Sequence, residues 1–506
     1  MKKHIINSKY IWLLATVFSL TSCNDIEDVS RQEAEITVPE LTAGTANFSK
    51  FVSIGNSLTA GFTDNALFIA SQENSFPNIL AKKFALVGGG EFTQPLMDDN
   101  VGGFLIGGTQ SSKFLPRLYF NGSAPTLLPA TSSTEVLAPS IGSKNNMGIP
   151  GASSFHLLYD GYGNPDNLLL PTPTANPYFV RMASGPTATI LGDALAQSPT
   201  FVSLWIGNND VLGYATSGAE SGAPTSQAVF NNAVDVIMNA LKSANVQGVM
   251  ANIPNVTSIP YFTTVPYNPV PLDAPTAQYL NSADAYGSYN AGIQAAFAYL
   301  VSINALSQAD ANAEIAKRTI TFKAGAGNAV VIMDEYLTDL TAINPKLVSM
   351  RQATANDLLV LTSSSFIGTE AIPGNPATVN GVAIPLADKW VLTPEEQDEI
   401  ITATNNFNSK LKAAATDAGF AFVDSNAILK KFAEGGVTDG NFTLTANLVT
   451  GGAFGLDGVH PTSRGYALLA NEFMKAIDLT YGSNFEASGN LVNIGDYPTN
   501  YSPALK

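Results

Sequence analysis

The sequence predicts an α/β fold, a mainly parallel sheet covered by helices on both faces. Three observations carry this expectation. Two short apolar runs, 51–54 and 200–206, each stop at a glycine-bearing turn, Gly55-Asn56-Ser57-Leu58 and Gly207-Asn208-Asn209-Asp210. After the second run, Phe230, Val234, Ile237 and Leu241 recur at helical spacing before another strand-like run at 246–253, which is a βαβ rhythm. Farther on, Thr393-Pro394-Glu395-Glu396 is a capping box with proline at the first helical position. The helix it opens should end at Gly419, a natural left-handed cap, ahead of a strand at 420–424. Strands alternating with helices in this way pack as a parallel sheet between helical layers.

The chain has 506 residues, 45% of them apolar and 13% charged, ample for a large core and unlike a disordered composition. That length allows two or three domains, but one elaborated α/β domain also reaches it. The formal net charge is -16, and the mature part has no Lys/Arg cluster, so nucleic acid is excluded as a partner. One folded domain is expected over 48–506, with insertions at about 60–140 and 212–390. The stretches 213–226, 254–275 and 362–388 are rich in small residues, proline and Thr. They read as long surface excursions, a cap over the site, and as poor material for an independent domain.

The N-terminus speaks to location. Lys2 and Lys3 precede an apolar run at 10–20, about half the ~20 residues a membrane-spanning helix needs. Leu20-Thr21-Ser22-Cys23 follows, and Cys23 is the one cysteine of the chain, so no intrachain disulfide forms. Residues 1–22 therefore read as a signal peptide. The Leu-Thr-Ser-Cys run resembles the lipobox of bacterial lipoproteins, which implies lipidation of Cys23 and a membrane partner through that anchor. The other reading is an ordinary signal peptide with a free thiol. Residues 23–47, acidic and without apolar period, read as a tether. Acidic residues after the cysteine resemble the export signals of surface lipoproteins, which implies a cell-envelope location, in the outer membrane and facing outward.

Four short motifs carry the chemistry. Ser57 sits on a strand-to-helix turn at the carboxyl end of a strand, where ligand crevices open in α/β sheets; a serine there also serves as a plain helix cap. Asn146-Met147-Gly148-Ile149-Pro150-Gly151 offers a backbone N–H for close approach, or is a simple turn. Asn209 could present its side-chain NH2 to a developing oxyanion, or lie in a polar turn. In Gly455-Leu456-Asp457-Gly458-Val459-His460-Pro461-Thr462, a carboxylate three residues before a histidine can orient the imidazole toward a nucleophile. A helix is expected to follow, from Arg464 to about Ile477. The chain has three histidines. His4 leaves with the signal, and His156, at a helix start, reads as a partly buried residue with a backbone partner. Only His460 has an acidic companion at short range.

Gly-x-Ser-Leu, Asn-x-Gly-x-x-Gly, Gly-x-Asn-Asp and Asp-x-x-His-Pro, in that order, resemble the four blocks of the SGNH hydrolase (GDSL esterase/lipase) superfamily. The resemblance implies a three-layer α/β/α flavodoxin-like fold. It also implies Ser57 as nucleophile and Asp457 and His460 as its partners, with Ser57 N–H, Gly151 N–H and Asn209 NH2 as oxyanion donors. It covers about half of the chain. Two departures stand out. Asn56 occupies a position usually held by aspartate, and the gaps from Ser57 to Gly151 and from Asp210 to Asp457 are long, which leaves the pocket and the substrate undefined.

The expected chemistry is hydrolysis of carboxylic esters through an acyl-serine intermediate. The substrate is a small-molecule, lipid or glycan ester, and the alternative within this class is a carbohydrate esterase that deacetylates glycans. A non-catalytic surface binding protein has no need of Asp457 and His460 together. The mechanism requires no metal or organic cofactor. Two histidines and one cysteine in the mature chain argue against a zinc site, and no EF-hand loop is present, although calcium held by scattered carboxylates stays open.

Overall fold

The computed structural model describes residues 38–140 and 142–506. The signal segment and Cys23 lie outside the described residues. The main compact unit runs from Leu41 to Lys506. It begins earlier than the expected start at 48, because Ala46 and Phe48 are core residues with Leu41 and Ala43 packed against them. Thr45 also donates its N–H to Tyr481 O at 2.8 Å.

The centre is a five-stranded sheet: β1 (Phe51–Gly55), β2 (Asn146–Gly148), β3 (Phe201–Trp205), β4 (Gln247–Ala251) and β5 (Ala421–Val423). Every pairing is parallel, in the order β2-β1-β3-β4-β5. This is the doubly wound flavodoxin-like order, whose topological switch point lies between β1 and β3. β1 and β3 are buried at every position, as expected for central strands covered on both faces.

The helices follow from the same alternation. Phe51, Phe201 and Trp205 point to the face covered by α2 (Phe76–Phe84) and α6 (Ser463–Tyr481), where Phe76 stacks on Phe473 at 4.6 Å. On the other face lie α4 (Gln227–Ser243) and α5 (Pro394–Ala418), joined by Phe230 stacked on Phe407 at 3.9 Å. The capping box opens α5, with Thr393 accepting from Glu396 N, and Gly419 closes it at φ 66°. α6 runs on past the expected end to Tyr481, where Gly482 adopts φ 70°. α2, α4 and β4 fall inside the stretches expected as insertions and belong to the core.

The true insertion between β4 and α5 does more than wander over the surface. Its residues, from Val270 to Val391, build a second apolar cluster around Ile293, Phe297, Val331, Ile332 and Leu386. Helices Ala274–Leu280, Tyr286–Ser302 and Gln308–Arg318 supply one side, and short antiparallel ladders such as Val331–Met333 with Met350–Gln352 supply the other. Among the described residues no helix is long and apolar enough to cross a membrane.

Candidate active site

The site forms where β1, β2 and β3 end. Gly55 must be glycine, since a Cβ there would lie 2.4 Å from Trp205 O in the adjoining strand. The chain then turns at Asn56, whose Oδ1 caps α1 (Ser57–Ala60) by accepting Leu58 N–H at 3.0 Å. Asn56 Nδ2 donates to Asn208 Oδ1 at 3.2 Å, tying the end of β1 to the end of β3. An amide can cap and donate at once; a carboxylate in its place would only accept.

Ser57 opens α1, and its Oγ lies 2.9 Å from His460 Nε2. The imidazole's Nδ1 lies 2.9 Å from Asp457 Oδ2. Asp457 is nearly saturated: Oδ1 accepts the N–H groups of Val459 and His460 at 2.9 Å each, and Oδ2 also takes Asn65 N–H at 2.8 Å. Burial pushes this carboxyl upward, but the imidazole and these donors outweigh it and hold Asp457 below the usual range. The Phe62 ring packs 4.6 Å from the imidazole.

The support of this loop was not legible in the motifs. Asp64 and Asn65 both adopt left-handed backbone, at φ 52° and 64°, and so aim at the 455–460 segment. Asp64 Oδ1 accepts Leu456 N–H at 2.8 Å. Burial is the main cause that pushes its carboxyl up to about 7, with the charge of Asp457 adding to it and Leu456 N–H and Arg117 opposing. Arg117 itself is fully buried and donates to Asn100 O at 2.9 Å and Ser502 O at 2.7 Å.

The donors expected around an oxyanion follow three strand ends: Ser57 and Asn209 line one cavity with His460, while Gly151 lines the neighbouring groove. Gly151, at φ 83°, follows β2 in a turn, and Gly148 leaves no room for a Cβ, which would sit 2.3 Å from Ala60 N. Asn209 starts α3 (Asn209–Thr216) and donates one amide hydrogen to Ala152 O at 2.8 Å, leaving the second for a ligand. Asp210 grips the same loop, accepting Ser154 N–H at 2.8 Å and Ser154 Oγ–H at 2.7 Å. Its burial outweighs these bonds and raises the carboxyl to about 6. His156 lines the groove at Gly151 but takes no part in the Ser57 hydrogen-bond chain: Nδ1 accepts Ser153 N–H at 3.0 Å, the ring stacks on Tyr162, and burial lowers it to about 4.

Two spaces adjoin these groups. A narrow cavity of about 70 Å³ is lined by Ser57, Asn209 and His460, then by Leu212, Ile428 and Phe432. A wide groove of about 1260 Å³ begins at Gly151 and is lined by Phe155, Tyr159, Tyr162, Leu168 and Val229. Both walls are mainly apolar.

The family model for GDSL-like Lipase/Acylhydrolase matches residues 332–473, the part of the chain that holds Asp457 and His460. No curated protein matches the chain. Among solved structures, it is similar to a protein described as a GDSL-like lipase from Parabacteroides merdae, at 11% identity and TM-score 0.32 over 87% of this chain and 99% of that one. It is also similar to an extracellular lipase from Streptomyces rimosus, at 11% identity and TM-score 0.30 over 85% and 98%. The matched segment carries the last of the four motifs, and over that segment the chain is similar to GDSL-like lipases/acylhydrolases, on a sheet of flavodoxin-like order.

Proposed function

We propose that this hydrolase cleaves carboxylic esters through an acyl-serine, with Ser57 as nucleophile, His460 as general base and Asp457 as the group that orients it. The observation that carries the reading is the unbroken chain Ser57 Oγ–His460 Nε2, 2.9 Å, and His460 Nδ1–Asp457 Oδ2, 2.9 Å. His460 takes the hydroxyl proton at Nε2 as Oγ attacks the ester carbonyl, while Asp457 holds Nδ1–H and stabilises the imidazolium. The tetrahedral oxygen meets Ser57 N–H, Gly151 N–H and the second amide hydrogen of Asn209. The C–O bond to the alcohol then breaks, with the proton passing from Nε2 to the departing oxygen. Water, deprotonated by His460, releases the acid and restores Ser57.

The apolar cavity at Ser57 supports an alkyl acyl group. Its narrowness, beside a wide groove that presents Phe155, Tyr159 and Tyr162, supports the second reading, removal of small acyl groups such as acetyl from glycans. A panel of p-nitrophenyl esters from acetyl to octanoyl, with acetylated sugars, tests both on the wild type and Ser57→Ala. Hydrolysis that the variant lacks supports the mechanism, and activity confined to acetyl esters and sugars favours the second reading. No hydrolysis by a folded wild type, together with no labelling by a serine-directed phosphonate, would overturn both.

We also propose that Cys23 is lipidated and anchors the protein in the cell envelope, in the outer membrane and facing outward. The support is the signal-like segment and the Leu20-Thr21-Ser22-Cys23 run. Metabolic labelling with a fatty acid should mark the wild type and not Cys23→Ala; equal labelling would remove the anchor from this position.

A further inference from the structure

Away from Ser57, three carboxylates converge on one space. Glu335 follows the strand Val331–Met333 of the second apolar cluster, Asp388 begins a single helical turn, and Glu396 lies in the first turn of α5. One oxygen from each lies within 4.8 Å of the other two. Glu396 is fully buried. Its Oε2 accepts Thr393 N–H at 2.7 Å, whereas its Oε1, buried, has no hydrogen-bond partner. Asp388 Oδ1 is likewise buried and unpartnered.

Nothing cationic offsets this charge. Among the described residues none of the three forms an ion pair. Arg351, the neighbouring guanidinium, is committed to Asp334 at 2.5 Å and to Asp357 at 2.7 Å. Lys389 places its ammonium over the Trp390 ring, 5.4 Å from the centroid. A buried carboxyl oxygen with neither donor nor cation is costly, and native proteins seldom keep one without a ligand or a proton.

We propose that Glu335, Asp388 and Glu396 bind a hard divalent cation, Ca²⁺ in the first place. The donor set is all oxygen, which suits Ca²⁺ or Mg²⁺ and not the softer metals. Ca²⁺–oxygen bonds of about 2.3–2.6 Å let one ion reach carboxylate oxygens that lie within 4.8 Å of one another, and the exposed side at Glu335 leaves room for water ligands. Mg²⁺, with bonds of about 2.0–2.1 Å, demands a strict octahedron and gives up its waters reluctantly, so a site built from three protein carboxylates suits it less well. The ion would tie the inserted cluster, through Glu335, to the N-terminus of a core helix, through Glu396. Tyr214 and Tyr336, which donate to Glu399 at 2.7 and 3.1 Å, brace the same junction.

The full chain, stripped with EDTA and dialysed, is titrated with CaCl₂ by calorimetry, and its thermal unfolding is followed with Ca²⁺, with Mg²⁺ and with neither. The expected result is one Ca²⁺ per chain with Kd at or below roughly 10⁻³ M, as in extracellular calcium modules. Tm should rise by several degrees with Ca²⁺ and less with Mg²⁺, and Glu335→Gln should weaken binding by about tenfold or more. Glu335 is exposed, so this variant keeps the fold; Glu396→Gln, which also alters the helix cap, is the second variant. The proposal is overturned if saturating Ca²⁺ produces neither heat nor a change in Tm. It is equally overturned if Glu335→Gln binds as tightly as the wild type, because the ion then lies elsewhere.

Discussion

Asn65 donates its backbone N–H to Asp457 Oδ2 at 2.8 Å, on the same oxygen that faces His460 Nδ1 at 2.9 Å. With Val459 and His460 N–H groups on Oδ1, the carboxylate is fixed in one orientation before any substrate arrives. Asp457→Asn leaves the shape but puts an NH2 where an acceptor is required. Either the amide oxygen keeps the imidazole and an NH2 meets backbone N–H donors, or the reverse. In the reverse arrangement the NH2 donates to Nδ1, and the imidazole loses the tautomer with a free Nε2 lone pair. We predict a fall in kcat on the order of 10³–10⁴ with little change in KM. Steady-state kinetics on a p-nitrophenyl ester measures it, and a drop of only a few-fold would remove Asp457 from the mechanism.

Asn209 has two amide hydrogens, one of them spent on Ala152 O at 2.8 Å. That bond holds the amide in place without consuming its capacity to meet an oxyanion. Asn209→Ala removes both functions and should lower kcat by about 10²–10³. Asn209→Asp offers only acceptors to Ala152 O and to the oxyanion, and should be worse than alanine. If alanine matches the wild type, the oxyanion is stabilised elsewhere.

The motifs singled out Ser57 and Asn209 because each stands just after an apolar strand, and Asp457 and His460 by their three-residue spacing. They did not foretell β2, since Asn146–Gly148 has three residues and no apolar run to announce it. Nor did they foretell Asn65 or Ala152, which act through an N–H and a C=O that every residue carries. The second cluster stayed hidden for another reason. Its apolar residues are dealt out over three-residue ladders and short helices between prolines and glycines, and Tyr286–Ser302 is apolar around much of its circumference. Such segments have no period for a sequence reading to detect.

Asn56 joins α1 to β3 by capping Leu58 N–H and donating to Asn208 Oδ1. Asn56→Asp keeps the cap, and Asn208 can turn its amide to donate instead, so kcat should stay within about tenfold of wild type. Asn56→Ala loses both bonds next to the proposed nucleophile and should cost about 1–2 kcal/mol of stability. Denaturant unfolding and kinetics on the two variants separate the roles. Equal stability of alanine and wild type would show that the cap contributes nothing.

Asp64 is 1% exposed, and burial lifts its carboxyl to about 7, opposed by Leu456 N–H and Arg117 and assisted by the charge of Asp457. Its ordinary value in an unfolded chain is about 4. The folded state therefore holds this proton more tightly than the unfolded state. The linked stability is fully present below about pH 4 and is lost as pH rises toward 7. Asp64→Asn retains an acceptor for Leu456 N–H and cannot ionise. Near pH 4 the variant should match the wild type or fall slightly below it. Its stability relative to wild type should then climb between pH 4 and 7, by at most about 4 kcal/mol, and level off above. Thermal unfolding of both proteins across that range measures the difference. Parallel curves would mean that Asp64 ionises without cost in the folded chain, with Arg117 supplying the balance.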